Sequence, residues 1–308
     1  MMHALKSRGT HRRHLAAGLA AAAMLLPSAG SFAQDGAAAG QPPPIAIIAH
    51  RGGAMLRSEN TMPAFRHAAE IGVEYLEFDM EMTADDRIVV YHDAAINLDF
   101  CQPDSGSAVT IAAVRELSFD QTQAFDCGAG VRPSYAGSRH ITAPGARIPE
   151  LGEVLGAFKD SDARFFAETK IPKGSDVDPV KFAALLDAAV RENGLEDRLI
   201  LQSFDFRTID ALHRINPRIR TCLLGVPRLT RDYLAMLRQH EASCIVLSHD
   251  EADRAEIGRL QDAGILVFSG VADDEGAWHK YVTLGVDAIF TNDPERAIQF
   301  LQRSGIRD

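Results

Sequence analysis

The chain has few cysteines, four in 308 residues, and none form a Cys-x-x-Cys pair. No close thiolate pair is therefore available for a structural zinc site. The first apolar run, Ile45–Ala49, is followed by His50-Arg51-Gly52-Gly53 and not by a Gly-x-Gly-x-x-Gly turn. That absence argues against a doubly wound, dinucleotide-binding sheet. Positive charge is also scarce. Lys and Arg number 32 against 42 Asp and Glu, giving a formal charge of -10. A molecule of that sign repels nucleic acid and anionic lipid headgroups, so an anionic substrate must be held by local cations. After residue 33, no apolar run is long enough to cross a bilayer, which takes about 20 residues.

The N-terminus carries a different signal. Lys6, Arg8, Arg12 and Arg13 precede the uncharged, Ala-rich stretch Leu15–Leu26, and Ser31-Phe32-Ala33 supplies small residues suited to cleavage. Residues 1–33 are expected to be a signal peptide and 34–44 a flexible Ala/Gly/Pro linker. The mature chain would then be exported, periplasmic or secreted, with no membrane span after cleavage. Its charge would be near -14, from -10 minus the four leader cations. Four cysteines suit an oxidising compartment. Cys101 and Cys127 share a loop-rich region and are the best disulfide candidates, whereas Cys222 and Cys244 sit in apolar runs and read as buried thiols.

From Ile45 onward, short apolar runs alternate with amphipathic stretches. Strands are expected at residues 45–49, 73–80, 164–169, 199–203, 219–224, 243–247, 265–269 and 288–291. Repeated βα units require parallel strands and right-handed crossovers, and eight of them close into a (β/α)8 TIM barrel. Residues 45–308 would form that barrel. Asp85-Asp86 marks a turn and Arg87–Tyr91 a further β-like run. The polar stretch 94–147 then reads as a long loop insertion after the second strand.

Polar residues at strand ends carry the chemistry. His50 and Arg51 follow the first strand, Glu77 and Asp79 lie in the second, His92-Asp93 ends the extra run, and Glu168 with Lys170 ends the third. All fall toward the C-terminal mouth, where barrel active sites form. Glu77 and Asp79 are one residue apart, so both carboxylates face the same side of a strand, with Cα atoms about 7 Å apart. Adjacent carboxylates repel unless a cation neutralises them. Glu168 can add a third oxygen ligand. An all-carboxylate set favours one hard divalent cation, Ca²⁺ or Mg²⁺. A structural ion network with Arg51 and Lys170 is the alternative. His50 and His92 are the natural acid and base, because imidazole titrates near neutrality. Arg51 and Lys170 would hold phosphoryl oxygens. Ser203 lacks the turn of a nucleophile elbow, and Asp250 is expected to cap a helix. His213, His240 and His279 fall on helical stretches and read as surface residues.

These residues carry a resemblance. Ala49-His50-Arg51-Gly52, Ser58-Glu59-Asn60-Thr61, Glu77-Phe78-Asp79, His92-Asp93, Glu168-Thr169-Lys170, Gln202-Ser203-Phe204-Asp205 and Thr291-Asn292-Asp293-Pro294 occur in the order found in glycerophosphodiester phosphodiesterases. From Ile45 to the C-terminus the sequence resembles that family. The resemblance implies a divalent cation on Glu77, Asp79 and Glu168, with His50 and His92 as general acid and base. It also implies hydrolysis of a small-molecule glycerophosphodiester to glycerol 3-phosphate and an alcohol. A Trp-Thr ending common on the family's seventh strand is replaced by Leu266-Val267-Phe268-Ser269, which leaves substrate preference open. Lysophospholipase D or sphingomyelinase D-like activity is the rival on the same barrel. A non-catalytic exported binding protein is the rival of another class.

Overall fold

The computed structural model describes residues 45–106 and 112–308, so the expected leader and linker lie outside the described residues. In chain order the strands are β1 (Ala46–Ala49), β2 (Tyr75–Met82), β3 (Ile88–Val90), β4 (Gln102–Pro103), β5 (Phe125–Asp126), β6 (Arg164–Thr169), β7 (Leu199–Ser203), β8 (Arg220–Leu223), β9 (Cys244–Leu247), β10 (Leu266–Ser269) and β11 (Ala288–Thr291). Eight of them, β1, β2 and β6 to β11, pair in parallel with their neighbours. β1 closes the ring by pairing with β11 on one side and β2 on the other. The expected TIM barrel is the observed fold.

The helices are α1 (Met62–Glu70), α2 (Phe119–Thr122), α3 (Leu151–Phe158), α4 (Pro179–Asn193), α5 (Phe206–Ile215), α6 (Tyr233–Gln239), α7 (Arg254–Asp262), α8 (Glu275–Leu284) and α9 (Pro294–Arg303). Strand alternation sorts the side chains into two cores. Outward-facing Leu76, Phe78, Phe165 and Leu201 pack with the helices, while Tyr75, Phe166, Phe268 and Phe290 fill the barrel. The Phe166 ring lies 5.3 Å from both Phe268 and Phe290, in edge-on contact. Tyr75 and Phe166 each stand two residues before an acid, so this dry aromatic layer underlies the acids at the mouth.

Asp side chains cap the N-termini of α4 through α9, accepting backbone N–H bonds that the helices cannot satisfy internally. Asp253 caps α7. The expectation for Asp250 was wrong, because it lies in the preceding turn and pairs with His249 at 3.0 Å. Helix α3 was not anticipated. Its stripe Leu151, Val154, Leu155 and Phe158 has helical spacing and is buried, but it spans only eight residues after a loop-rich stretch. The extra β run is also placed differently from the barrel strands. β3 turns back antiparallel along the end of β2, with Met80 opposite Val90.

A separate core joins Tyr91 of the extra β run to Phe100, Val114 and Phe125 of the insertion, around the Cys101–Cys127 disulfide. That disulfide was expected, but a second was not. Cys222 and Cys244 are joined across β8 and β9, where the parallel register places them side by side. Spacing along the chain could not reveal that neighbour relation, so the reading as free thiols is corrected. Among the described residues, no helix is long and apolar enough to cross a membrane.

Candidate active site

Three acids meet at the mouth. Glu77 and Asp79 project from the same face of β2, and β6 places Glu168 directly beside Asp79. Each offers an oxygen lying within 4.8 Å of the others, and all three are buried. Lys170 Nζ is 2.5 Å from Glu168 Oε1 and 3.0 Å from Asp79 Oδ1. Arg51 Nε is 3.4 Å from Asp79 Oδ2. The ion network considered as an alternative is therefore present, but incomplete. Glu77 is held by the Arg51 backbone N–H at 2.7 Å and the Gln202 amide at 3.0 Å, both neutral donors. Asp79 Oδ1 accepts no well-directed hydrogen bond.

Local backbone geometry aims these groups. His50–Gly52 forms a short 3₁₀ turn in which Arg51 adopts a left-handed conformation, φ 52°. The turn points the Arg51 N–H at Glu77. Gly52, with φ +78°, packs so closely that a Cβ would sit 2.8 Å from that of Ala64. Glycine is required there. Asn60 locks Asp79 from both sides, donating to Oδ2 at 2.8 Å and accepting the Asp79 N–H at 3.2 Å.

Each histidine has an orienting partner. His50 Nδ1 lies 2.8 Å from Asn292 Oδ1. Asn292 commits its amide N–H to Asp273 Oδ2 at 2.8 Å, so its oxygen faces the ring. His50 consequently carries its proton on Nδ1 and keeps a lone pair on Nε2. His92 Nδ1 lies 2.6 Å from Asp93 Oδ1, and His92 is close enough to Asp79 and Glu168 to interact electrostatically with both.

The electrostatics are uneven. Burial, with Asp79 beside it, pushes Glu77 well above the usual carboxylate range. Burial also raises Glu168 against the opposing charge of Lys170. Burial acts in the same sense on Asp79, but Lys170 and Arg51 overcome it and hold that carboxyl well below its ordinary value. Burial and then Arg51 lower His50 to about 4, which keeps the imidazole neutral at pH 7. Glu81, next on the same face of β2, is pushed up to about 8 by burial.

All seven residues singled out from the sequence lie in this region, and Gln202 joins them. Sequence reasoning missed other parts. Glu59 accepts from Arg51 at 3.0 Å and from Arg132 at 2.8 and 2.9 Å. Tyr135 donates to Asn292 at 3.3 Å. Glu59, Asn60 and Asn292 stood inside motifs already noted, and Glu81 continues the alternation of Glu77 and Asp79. Arg132, Tyr135 and Asp273 left no signal, because loop residues without periodicity gain their neighbours only on folding. Ser203 is buried, with its hydroxyl accepting from Thr169 at 2.7 Å, in agreement with its exclusion as a nucleophile. The three histidines read as surface residues differ. His279 is exposed as expected, His213 is partly covered and lies 3.0 Å from Glu241, and His240 is largely covered, paired with Asp210 at 2.7 Å and packed on Phe206.

Comparison with known proteins agrees with this geometry. The model of the glycerophosphoryl diester phosphodiesterase family matches residues 50–296. The chain is 26% identical over 259 residues to the glycerophosphodiester phosphodiesterase of Caldanaerobacter subterraneus subsp. tengcongensis, covering 84% of this chain and 98% of that protein. The fold superposes on a Silicibacter pomeroyi DSS-3 protein with a TM-score of 0.78 at 24% identity, covering 86% and 96% of the two chains. It also matches an Oleispira antarctica phosphodiesterase solved with the product sn-glycerol-3-phosphate, at a TM-score of 0.70 and 18% identity, covering 84% and 97%. With the acids, cations and paired imidazoles at the mouth of the barrel, the chain is an enzyme of the glycerophosphoryl diester phosphodiesterase family.

Proposed function

We propose that the chain hydrolyses glycerophosphodiesters to glycerol 3-phosphate and an alcohol, with a divalent cation on Glu77, Asp79 and Glu168 and with His50 and His92 moving the protons. The observation that carries the cation is a charge deficit. Five carboxyl groups (Glu59, Glu77, Asp79, Asp93 and Glu168) surround three cations (Arg51, Arg132 and Lys170), a formal excess of 5 − 3 = 2 acids in a largely buried cluster, and without a further cation Glu77 and Glu168 respond by holding their protons more tightly. Oxygen-only donors fit Ca²⁺ or Mg²⁺. When bound, such an ion would neutralise charge that develops on phosphoryl oxygens.

The protein groups divide the remaining work. Arg51 and Lys170 border the acid triad, where they can attract the diester anion. His50, neutral and with its Nε2 lone pair free of Asn292, is suited to accept a proton from the glycerol hydroxyl beside the phosphate. That oxygen bonds to phosphorus as the P–O bond to the alcohol breaks. His92, backed by the Asp93 carboxylate, is suited to deliver a proton to the departing alkoxide. Water then opens the resulting cyclic phosphate with the same two groups in reverse roles. Acid–base catalysis of this kind contributes roughly 10²–10⁴-fold.

One observation favours a second reading, a lysophospholipase D-like activity. Phe204, Leu229 and Val271, in the loops after β7, β8 and β10, are 58%, 65% and 47% exposed on the same end of the barrel as the acids. Such side chains would suit an acyl-bearing substrate. Export of the chain remains part of the proposal, supported by the leader sequence and by two disulfides. The test uses chelator-stripped protein with Ca²⁺ or Mg²⁺ restored separately, on glycerophosphocholine and lysophosphatidylcholine. Cation-dependent release of glycerol 3-phosphate is expected, and it should be abolished by His50→Ala and by His92→Ala. Unchanged turnover in either variant would remove that histidine from the mechanism. Binding without turnover in the parent protein would favour a binding function.

A further inference from the structure

The insertion returns to the barrel through a short segment, residues 132–139, that touches both ends of the site. Arg132 is the first contact. Its Nε and Nη2 donate to the two oxygens of Glu59 at 2.9 and 2.8 Å, and Nη2 also donates to Asp93 Oδ2 at 2.9 Å. The other oxygen of Asp93 is the one that faces His92 Nδ1. Three residues later, the Tyr135 hydroxyl donates to Asn292 Oδ1, the atom that accepts from His50. The segment is anchored at its end by Arg139, which donates to Asp293 at 2.8 Å and Glu295 at 3.0 Å. Arg132 is fixed from behind as well, since its guanidinium lies 4.6 Å from the Phe100 ring centroid in the separate core around the Cys101–Cys127 disulfide.

We propose that Arg132 and Tyr135 are positioning residues, through which the insertion sets the orientation of both imidazoles. The physical reasons differ at the two sites. Asp93 is a half-buried carboxylate shared between His92 and Arg132. A planar guanidinium that also grips Glu59 allows it one position, which an ammonium on a flexible stem would not fix. Asn292 is a neutral amide whose oxygen receives two donors, and the Tyr135 hydroxyl limits its swing away from His50. The insertion is therefore required for turnover even though it supplies none of the groups proposed to touch the substrate. Misplacement of a reacting group by about 1 Å can lower a rate on the order of 100-fold.

The inference rests on His50 and His92 being the acid and base, so both alanine variants are measured alongside. The experiment is two double-mutant cycles on cation-loaded full chain, Arg132→Ala with Asp93→Ala and Tyr135→Phe with Asn292→Ala, assayed on glycerophosphocholine. For Arg132→Ala we expect kcat to fall on the order of 100-fold with KM changed less than about threefold. We expect partial recovery with Arg132→Lys or with added guanidinium. Asp93→Ala should remove most of the kcat loss of Arg132→Ala, because that loss passes through the shared carboxylate, whereas the contact through Glu59 to Arg51 bears on KM; Asn292→Ala should likewise silence Tyr135→Phe. Fully multiplicative losses in both cycles would overturn the proposal, as would unchanged kcat in Arg132→Ala. A loss of kcat that simply follows a loss of folded protein in a melting curve would also overturn it. If Arg132→Ala does not fold, the Tyr135 cycle decides, since that change removes a single hydroxyl. If His50→Ala and His92→Ala keep parental turnover, it is the underlying acid–base reading that fails.

Discussion

Replacing Lys170 with methionine tests the charge arrangement of the site directly. The ammonium lies 2.5 Å from Glu168 and 3.0 Å from Asp79, and its side chain is 19% exposed. Removing one partner of a buried ion pair costs roughly 3–5 kcal/mol, because the remaining charge is left without water or a counterion. Water reaches about a fifth of the Lys170 side chain, so the lower end applies, ~3 kcal/mol. In a domain of this size each kcal/mol moves Tm by ~2–4 °C, which predicts a fall of ~6–12 °C in chelator-stripped protein. A divalent cation would then have more negative charge to neutralise in the variant than in the parent. Thermal melts of both proteins, in chelator and with saturating Ca²⁺ or Mg²⁺, should show a larger cation-induced rise for Lys170→Met. Equal melting temperatures in chelator would refute the reasoning. So would a cation response no larger than that of the parent.

Two further outcomes are expected. Glu81 has its pKa raised from 4.5 to about 8 by burial, with Lys170 opposing and Asp79 reinforcing the shift. The folded state thus holds this proton longer than the unfolded chain does, and stability is lost as pH rises from 4.5 through 8. Glu81→Gln should melt with the parent at pH 4 and above it at pH 8 in stripped protein, and an equal difference at both values would contradict the assignment. Replacing Cys101 and Cys127 by serine opens a loop of 26-residue separation, which costs ~3.5 kcal/mol on chain entropy. Denaturant titration of the double variant should show that loss, and an unchanged midpoint would mean that the insertion core holds the loop closed by itself.

The sequence by itself determined the barrel and the acids. Alternating apolar runs and amphipathic stretches leave a βα repeat little choice of handedness or layer. Period-two spacing in a strand fixes Glu77 and Asp79 on one face before any neighbour is known. Where the signal was weak, short length was the reason, as with the eight residues of α3. Proximity across the chain was another matter. Asp79 beside Glu168, and Cys222 beside Cys244, follow from strand register, which depends on how the whole barrel closes.

What only the tertiary structure decided is which partners orient the reactive groups. Arg132 and Tyr135 lie in aperiodic loop, more than 35 residues after Asp93 and more than 150 before Asn292, respectively. Their roles arise from hydrogen bonds made after the insertion folds onto the mouth. Local propensity and hydrophobic spacing act over a few residues, whereas these contacts join an insertion loop to strand-end residues far away along the chain.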